Sequence, residues 1–159
     1  MPWADRFQTA TAEALLAELP QDRAEACART LEQLEGLGFA PPDVRWMGAC
    51  WKWTVVLEAQ DAVPAPPAYL IPDPQRPRAC TRLEADAIRA LHAGKLQRPV
   101  RDAMATGAQV GSALWVEWDL ESPACCADLV TLVRAALDAR KDPGIDASAK
   151  PDDASDRNA

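Results

Sequence analysis

Histidine occurs once, at position 92, tyrosine once, at 69, and phenylalanine twice among 159 residues. A lone histidine excludes the paired-histidine zinc helix and leaves one imidazole for general base chemistry. Cysteine is sparse and unpatterned: five residues, Cys27, Cys50, Cys80, Cys125 and Cys126, make an odd number with no C-x-x-C pair. Neither a disulfide framework nor a zinc knuckle is expected from such spacing, and the adjacent Cys125 and Cys126 cannot bridge each other without strain. The phosphate cradles G-x-G-x-x-G and G-x-x-x-x-G-K-S/T, the nucleophile elbow G-x-S-x-G and the H-E-x-x-H helix are all missing. The sequence therefore assigns no catalytic residue, no metal ligand and no cofactor. No apolar run approaches the ~20 residues of a membrane span. The opening MPWADRFQTATAEALL has no basic stretch ahead of an apolar one, so no secretory leader is expected. Together with unpaired cysteines, these absences lead to the expectation of a protein of a bacterial-type cytoplasm.

What the chain does contain is globular in character, 48% hydrophobic and 26% charged, with a formal net charge of −7. That sign disfavours nucleic acid and anionic membrane as partners. The charge is uneven. Residues 1–75 sum to −6 and residues 102–141 to −3, whereas residues 76–101 sum to +5, through Arg76, Arg78, Arg82, Arg89, Lys95, Arg98 and Arg101. The basic segment is expected to pair with the acidic first third. Its alternative role is an anion or acidic-peptide site, because the arginine fork fits carboxylate and phosphate.

Hydrophobic periodicity gives the elements. Phe7, Leu15, Leu16 and Leu19 mark one helical face, and Ala24, Cys27, Leu31 and Leu34 mark a second helix stopped by Gly36 and Gly38. Val44 to Trp46 begins a strand, and Gly48 permits a reversal. Trp51 to Glu58 reads as the clearest strand, with Trp51, Trp53, Val55 and Leu57 on one face. Residues 68–71 and 78–83 are further strands, and the prolines around them suggest edge strands or stiff loops. Helix follows from Glu84 to Ala93 and again around Val100 and Met104, then a central strand from Ala113 to Trp118. Ser122-Pro123 starts a closing helix with Leu129, Val130, Val133, Ala136 and Leu137 inward. The expected fold is α+β: a mostly antiparallel sheet of about five strands with helices on one face, N-terminal helices and a C-terminal helix, in one domain over residues 1–141. The stretch 142–159, acidic and poor in anything to bury, is expected to be a disordered tail.

The Val44-Arg45-Trp46 and Trp51-Lys52-Trp53 pair, the Tyr69-Leu70-Ile71-Pro72 strand and the Leu114 to Glu117 strand leading into a terminal helix resemble one known pattern. It is that of a family of small Trp-rich bacterial α+β proteins catalogued only as a domain of unknown function. The resemblance spans about Thr11 to Lys141 and implies a fold but no activity. The family pattern has Tyr-Gly before the second Trp, where this chain has Gly48-Ala49-Cys50.

Six Trp residues stand out, and five of them, Trp46, Trp51, Trp53, Trp115 and Trp118, fall on expected strands. Trp3 reads as a terminal packing anchor. Large aromatics dominate cores, so packing is the plain explanation. The functional one is a non-enzymatic binding module with an aromatic pocket of Trp46, Trp51, Trp53 and Trp115. Arg45 and Lys52 would stand at its mouth, and its ligand would be a small organic or cationic molecule. A protein partner is the other candidate, with a monomeric or homodimeric state. Two alternatives stand beside this reading. One is an acidic chaperone, of type III secretion or frataxin-like iron-binding kind, using Glu13, Glu18, Asp22, Glu25, Glu32 and Glu35. The other is a thiol enzyme with Cys125 or Cys126 activated in the first turn of the last helix and His92 as base.

Overall fold

The structure, a computed structural model, describes residues 2–60 and 65–141; the expected acidic tail lies outside them. Helices α1 (Ala12–Leu16) and α2 (Gln21–Gly36) come first, then strands β1 (Asp43–Trp46), β2 (Trp53–Leu57), β3 (Ala68–Ile71) and β4 (Arg78–Glu84). Helices α3 (Ala85–Ala90) and α4 (Arg98–Thr106) lead to the hairpin of β5 (Ala108–Val110) and β6 (Ala113–Asp119), and α5 (Pro123–Lys141) closes the fold. The strands form a single antiparallel sheet in the order β1-β2-β3-β4-β6-β5.

Local chemistry explains the boundaries of α2. Pro20 precedes it with extended backbone and a carbonyl that accepts from the Arg23 and Ala24 amides, and Asp22 places negative charge in the first turn. At the other end the Phe39 amide donates to the Leu34 carbonyl and the Gly38 amide to that of Glu35. This closing pattern satisfies two carbonyls that the helix leaves free, and Phe39 is buried beside it. Ala26, Cys27, Thr30, Leu31 and Leu34 form the buried stripe.

The register sorts each strand into two faces. Trp53, Val55 and Leu57 of β2 share a face with Ala68 and Leu70, with Ala79, Thr81 and Leu83, and with Leu114, Val116 and Trp118. Most are fully buried, and the Trp118 indole Nε1 donates to the Cys125 carbonyl at 3.0 Å, so this face meets α5. Helix α5 also packs on α2 and α3. Each fully buried Leu or Val contributes about 1.5–3 kcal/mol relative to exposure, and the shared cluster runs from Trp3 to Leu137. The expected inner stripe of α5, Leu129, Val130, Val133, Ala136 and Leu137, is buried throughout. The opposite sheet face, with Val56, Tyr69, Ile71, Cys80 and Trp115, is flanked by the β1–β2 turn, whose Trp51 packs on Tyr69, and by the end of α4.

Several expectations are corrected. The sheet has a sixth strand, β5, whose three residues are all exposed and so show no alternation. Phe7 is 92% exposed and joins no helix, because α1 begins only at Ala12 behind the Thr11 side-chain cap. β3 is an inner strand; Pro67 and Pro72 flank it and remove no hydrogen bond from its ladder. Among the described residues, no ion pair joins the basic segment to the acidic first third. Arg76 meets Asp119, Arg78 meets Glu117, Arg89 meets Asp86 and Arg98 meets Asp102, whereas Asp43 and Glu58 are taken by Arg45. Arg76 and Arg78 find their carboxylates on the neighbouring strand β6, and Arg89 and Arg98 find theirs one turn away on their own helices.

Helix α4 lies against β6, and α5 fixes where it starts. Asp128 of α5, 7% exposed, accepts a hydrogen bond of 2.7 Å from the Gln97 amide just ahead of α4. Burial raises the Asp128 carboxyl above the ordinary range and outweighs the opposing effect of that hydrogen bond. A carboxyl with a raised folded-state pKa favours folding when protonated. Its contribution is therefore fully present below the unfolded pKa and is lost as pH rises through the folded one. Asp128→Asn, which keeps an acceptor without the charge, is expected to gain stability over wild type as pH rises from about 3.5 to 7. Denaturant melts across that range check it; a flat or falling difference would contradict the assignment.

Candidate functional site

The aromatic residues form two separate groups, one on each side of the sheet. The division originates in the β1–β2 turn. Gly48 has φ +89° and Lys52 has φ +51°, both in the left-handed region, and the turn closes through hydrogen bonds from the Lys52 amide to Gly48 and from the Met47 amide to Lys52. Lys52 thus interrupts the alternation, and the strand starts only at Trp53. Trp51 and Trp53, expected on one face, lie on opposite faces.

On the helix side, Trp46 and Trp53 sit opposite each other in register with ring centroids 5.7 Å apart, edge to face. Trp53 Nε1 donates to the Asp5 carbonyl at 2.7 Å, and the Lys52 ammonium lies 4.2 Å over the buried Trp3 ring. The chain's first residues close this end of the sheet, as expected of Trp3.

On the opposite side, Trp51 packs on Tyr69 at 5.3 Å and Tyr69 on Trp115 at 6.1 Å. Trp51 and Trp115 wall a cleft of about 240 Å³ whose remaining lining is Cys80, Glu117 and Ala108, with Ala103, Thr106 and Gly107 from the end of α4. Arg78 holds this arrangement together. One of its guanidinium nitrogens donates to Glu117 at 2.5 Å and the other to the Cys50 carbonyl at 3.1 Å, which anchors the turn bearing Trp51 to the sheet. The Arg78 side chain is 17% exposed, and its Nε is buried without a partner. Cys80 beneath the rings is pushed up to about 12 by burial and then by the Glu117 charge, so it stays a neutral thiol at pH 7. Burial likewise raises the Tyr69 hydroxyl.

Of the six residues expected at a pocket, Trp51 and Trp115 come together. Trp46, Trp53 and Lys52 belong to the other group, and Arg45 lies on β1, four strands from Trp115 or about 19 Å at normal strand spacing. Arg45 makes a two-pronged contact with Glu58 at 3.0 and 2.9 Å and a third with Asp43 at 2.7 Å. Arg45 holds the Glu58 carboxyl below its ordinary value. Sequence reading passed over Tyr69, Cys80 and Glu117. The signal available was the cross-strand alignment of Tyr69, Cys80 and Glu117, which requires the strand order to be known.

Cys125 and Cys126 are 1% and 0% exposed, and His92 is exposed. Among the described residues, no group of three or more His, Cys, Asp or Glu is placed to hold a metal ion, and no helix is long and apolar enough to cross a membrane. No family model, curated protein or solved structure matches this chain.

Proposed function

We propose that this chain is a non-enzymatic binding module and that its ligand is a small flat organic molecule held between Trp51 and Trp115. The observation that supports this reading is the cleft on the sheet face away from α5: two indole walls, small side chains from the end of α4 and a single carboxylate, Glu117. A volume of about 240 Å³ is below the usual range for drug-sized ligands, which suits one or two fused rings rather than an extended molecule. Glu117 is already engaged by Arg78, so a neutral ring with one donor fits better than a strongly cationic one.

The alternatives have less support. The acidic residues Glu13, Asp22, Glu25, Glu32 and Glu35 are exposed on α1 and α2, so a chaperone role would rest on charge alone. A thiol enzyme would require the core around Cys125 and Cys126 to open.

Intrinsic tryptophan fluorescence, followed by calorimetry, screened against heteroaromatic compounds with neutral and cationic members, tests the proposal. Ligands should shift the emission, and Trp115→Phe should weaken binding by up to about tenfold while leaving the melting temperature close to wild type. An equal effect from Trp46→Phe, in the other aromatic group, or no response from any compound, would defeat it.

A further inference from the structure

We propose that Cys27 and Cys126 form a site of reversible oxidation, closing to an intramolecular disulfide that ties α2 to α5 when the protein meets a hydroperoxide. Their sulfurs lie 3.7 Å apart although the residues are 99 positions apart in the chain, and both are 0% exposed. The neighbouring cysteines are placed differently. Cys125 Sγ faces the Ser122 hydroxyl at 3.3 Å, Cys50 is exposed, and Cys80 is across the sheet. A disulfide needs its sulfurs at ~2.05 Å, so about 1.6 Å must be closed, a distance within reach of side-chain rotation on two helices already in contact.

The surroundings distinguish the two thiols. Cys126 lies in the opening turns of α5, where its thiol also faces the Ser122 carbonyl at 3.9 Å. Its thiol is lowered by the hydrogen bond with Cys27, against the opposing effect of burial, with Arg23 lowering it and Asp22 raising it; Cys27 is raised by that same contact and by burial. Arg23 is one helical turn from Cys27 on α2, and its guanidinium donates to the Leu120 and Glu121 carbonyls just before α5. A surface pocket of about 260 Å³ lined by Arg23, Leu120 and Glu121 lies beside this contact; neither sulfur lines it, so a small peroxide reaches Cys126 through local opening at the start of α5.

The chemistry balances. The Cys126 thiolate attacks the peroxide; an S–O bond forms, the O–O bond breaks, and the departing alkoxide takes the Cys27 proton. The Cys27 thiolate then attacks the Cys126 sulfur; the S–S bond forms, the S–O bond breaks, and hydroxide leaves as water with the proton Cys126 had released to solvent. Two thiols lose two electrons to one peroxide, giving one alcohol and one water.

The test treats the full-length native protein with hydrogen peroxide, quenches it, then unfolds it with N-ethylmaleimide for mass spectrometry. The expected product is about 2 Da lighter before alkylation, has Cys27 and Cys126 alone protected and linked in one peptide pair, and reverts with dithiothreitol. It should melt several degrees above the reduced form, because the bond closes a long loop. Cys27→Ala should leave Cys126 as a sulfenic acid trapped by dimedone, and Cys126→Ala should abolish the reaction at Cys27. Should either variant fail to fold, the wild-type peptide map decides. Five alkylated cysteines after oxidation, a bond through Cys50 or Cys125, or an oxidised form that melts no higher would overturn the proposal.

Discussion

Trp118→Ala is expected to cost about 3–5 kcal/mol of stability. Trp118 is 3% exposed on the helix-facing side of β6, and its indole donates to the Cys125 carbonyl at 3.0 Å. It joins the sheet to the first turn of α5 by packing and by a hydrogen bond. Alanine leaves a cavity the size of an indole, which the neighbouring strands and helices cannot close without losing their own contacts. Trp118→Phe separates the two effects: it keeps most of the apolar volume and loses the donor, and should cost about 1–2 kcal/mol. Denaturant melts read both. An alanine variant within about 1 kcal/mol of wild type would mean that this indole is not part of the core.

Gly107→Ala should lower stability by about 1–3 kcal/mol and also blunt any ligand response. A Cβ at Gly107 would lie 2.7 Å from the Trp115 carbonyl, 3.1 Å from the Ala103 carbonyl and 2.9 Å from a Leu114 methyl. Two of these neighbours are backbone and cannot rotate away. The end of α4 must therefore lift from β6, and with it Ala103 and Thr106, which help line the cleft. Gly107 has φ −59° and ψ 155°, open to any residue, so the cost comes from contact and not from backbone conformation. Gly36→Ala is the control: its Cβ meets nothing within 4 Å at the last position of α2, and stability should hold or rise slightly. Equal losses at both positions would point to a generic glycine effect.

Much of the architecture was legible in the residues themselves. The flanking prolines located β3 and β4 to within a residue, and the period of the apolar stripe placed α5 over its full length. These elements are long or sharply bounded, so local pattern and tertiary environment agree. Helix α1 and strand β5 were misread because five and three residues are too few for a period to show.

The amino-acid sequence by itself determined an antiparallel α+β fold, the buried faces of its long elements and an unusual density of tryptophan on the strands. Only the tertiary structure decided which tryptophans meet. A single residue in the left-handed region, Lys52, turns Trp51 to the opposite face from Trp53, and period-two alternation cannot register such an interruption. The strand order then brings Tyr69 beside Cys80 and Cys80 beside Glu117, from three segments separated by loops and helices. Helix packing likewise sets Cys27 against Cys126 across 99 positions of chain. Periodicity records the face on which a side chain lies, whereas the neighbour it meets there depends on long-range pairing, which no local stretch of sequence encodes.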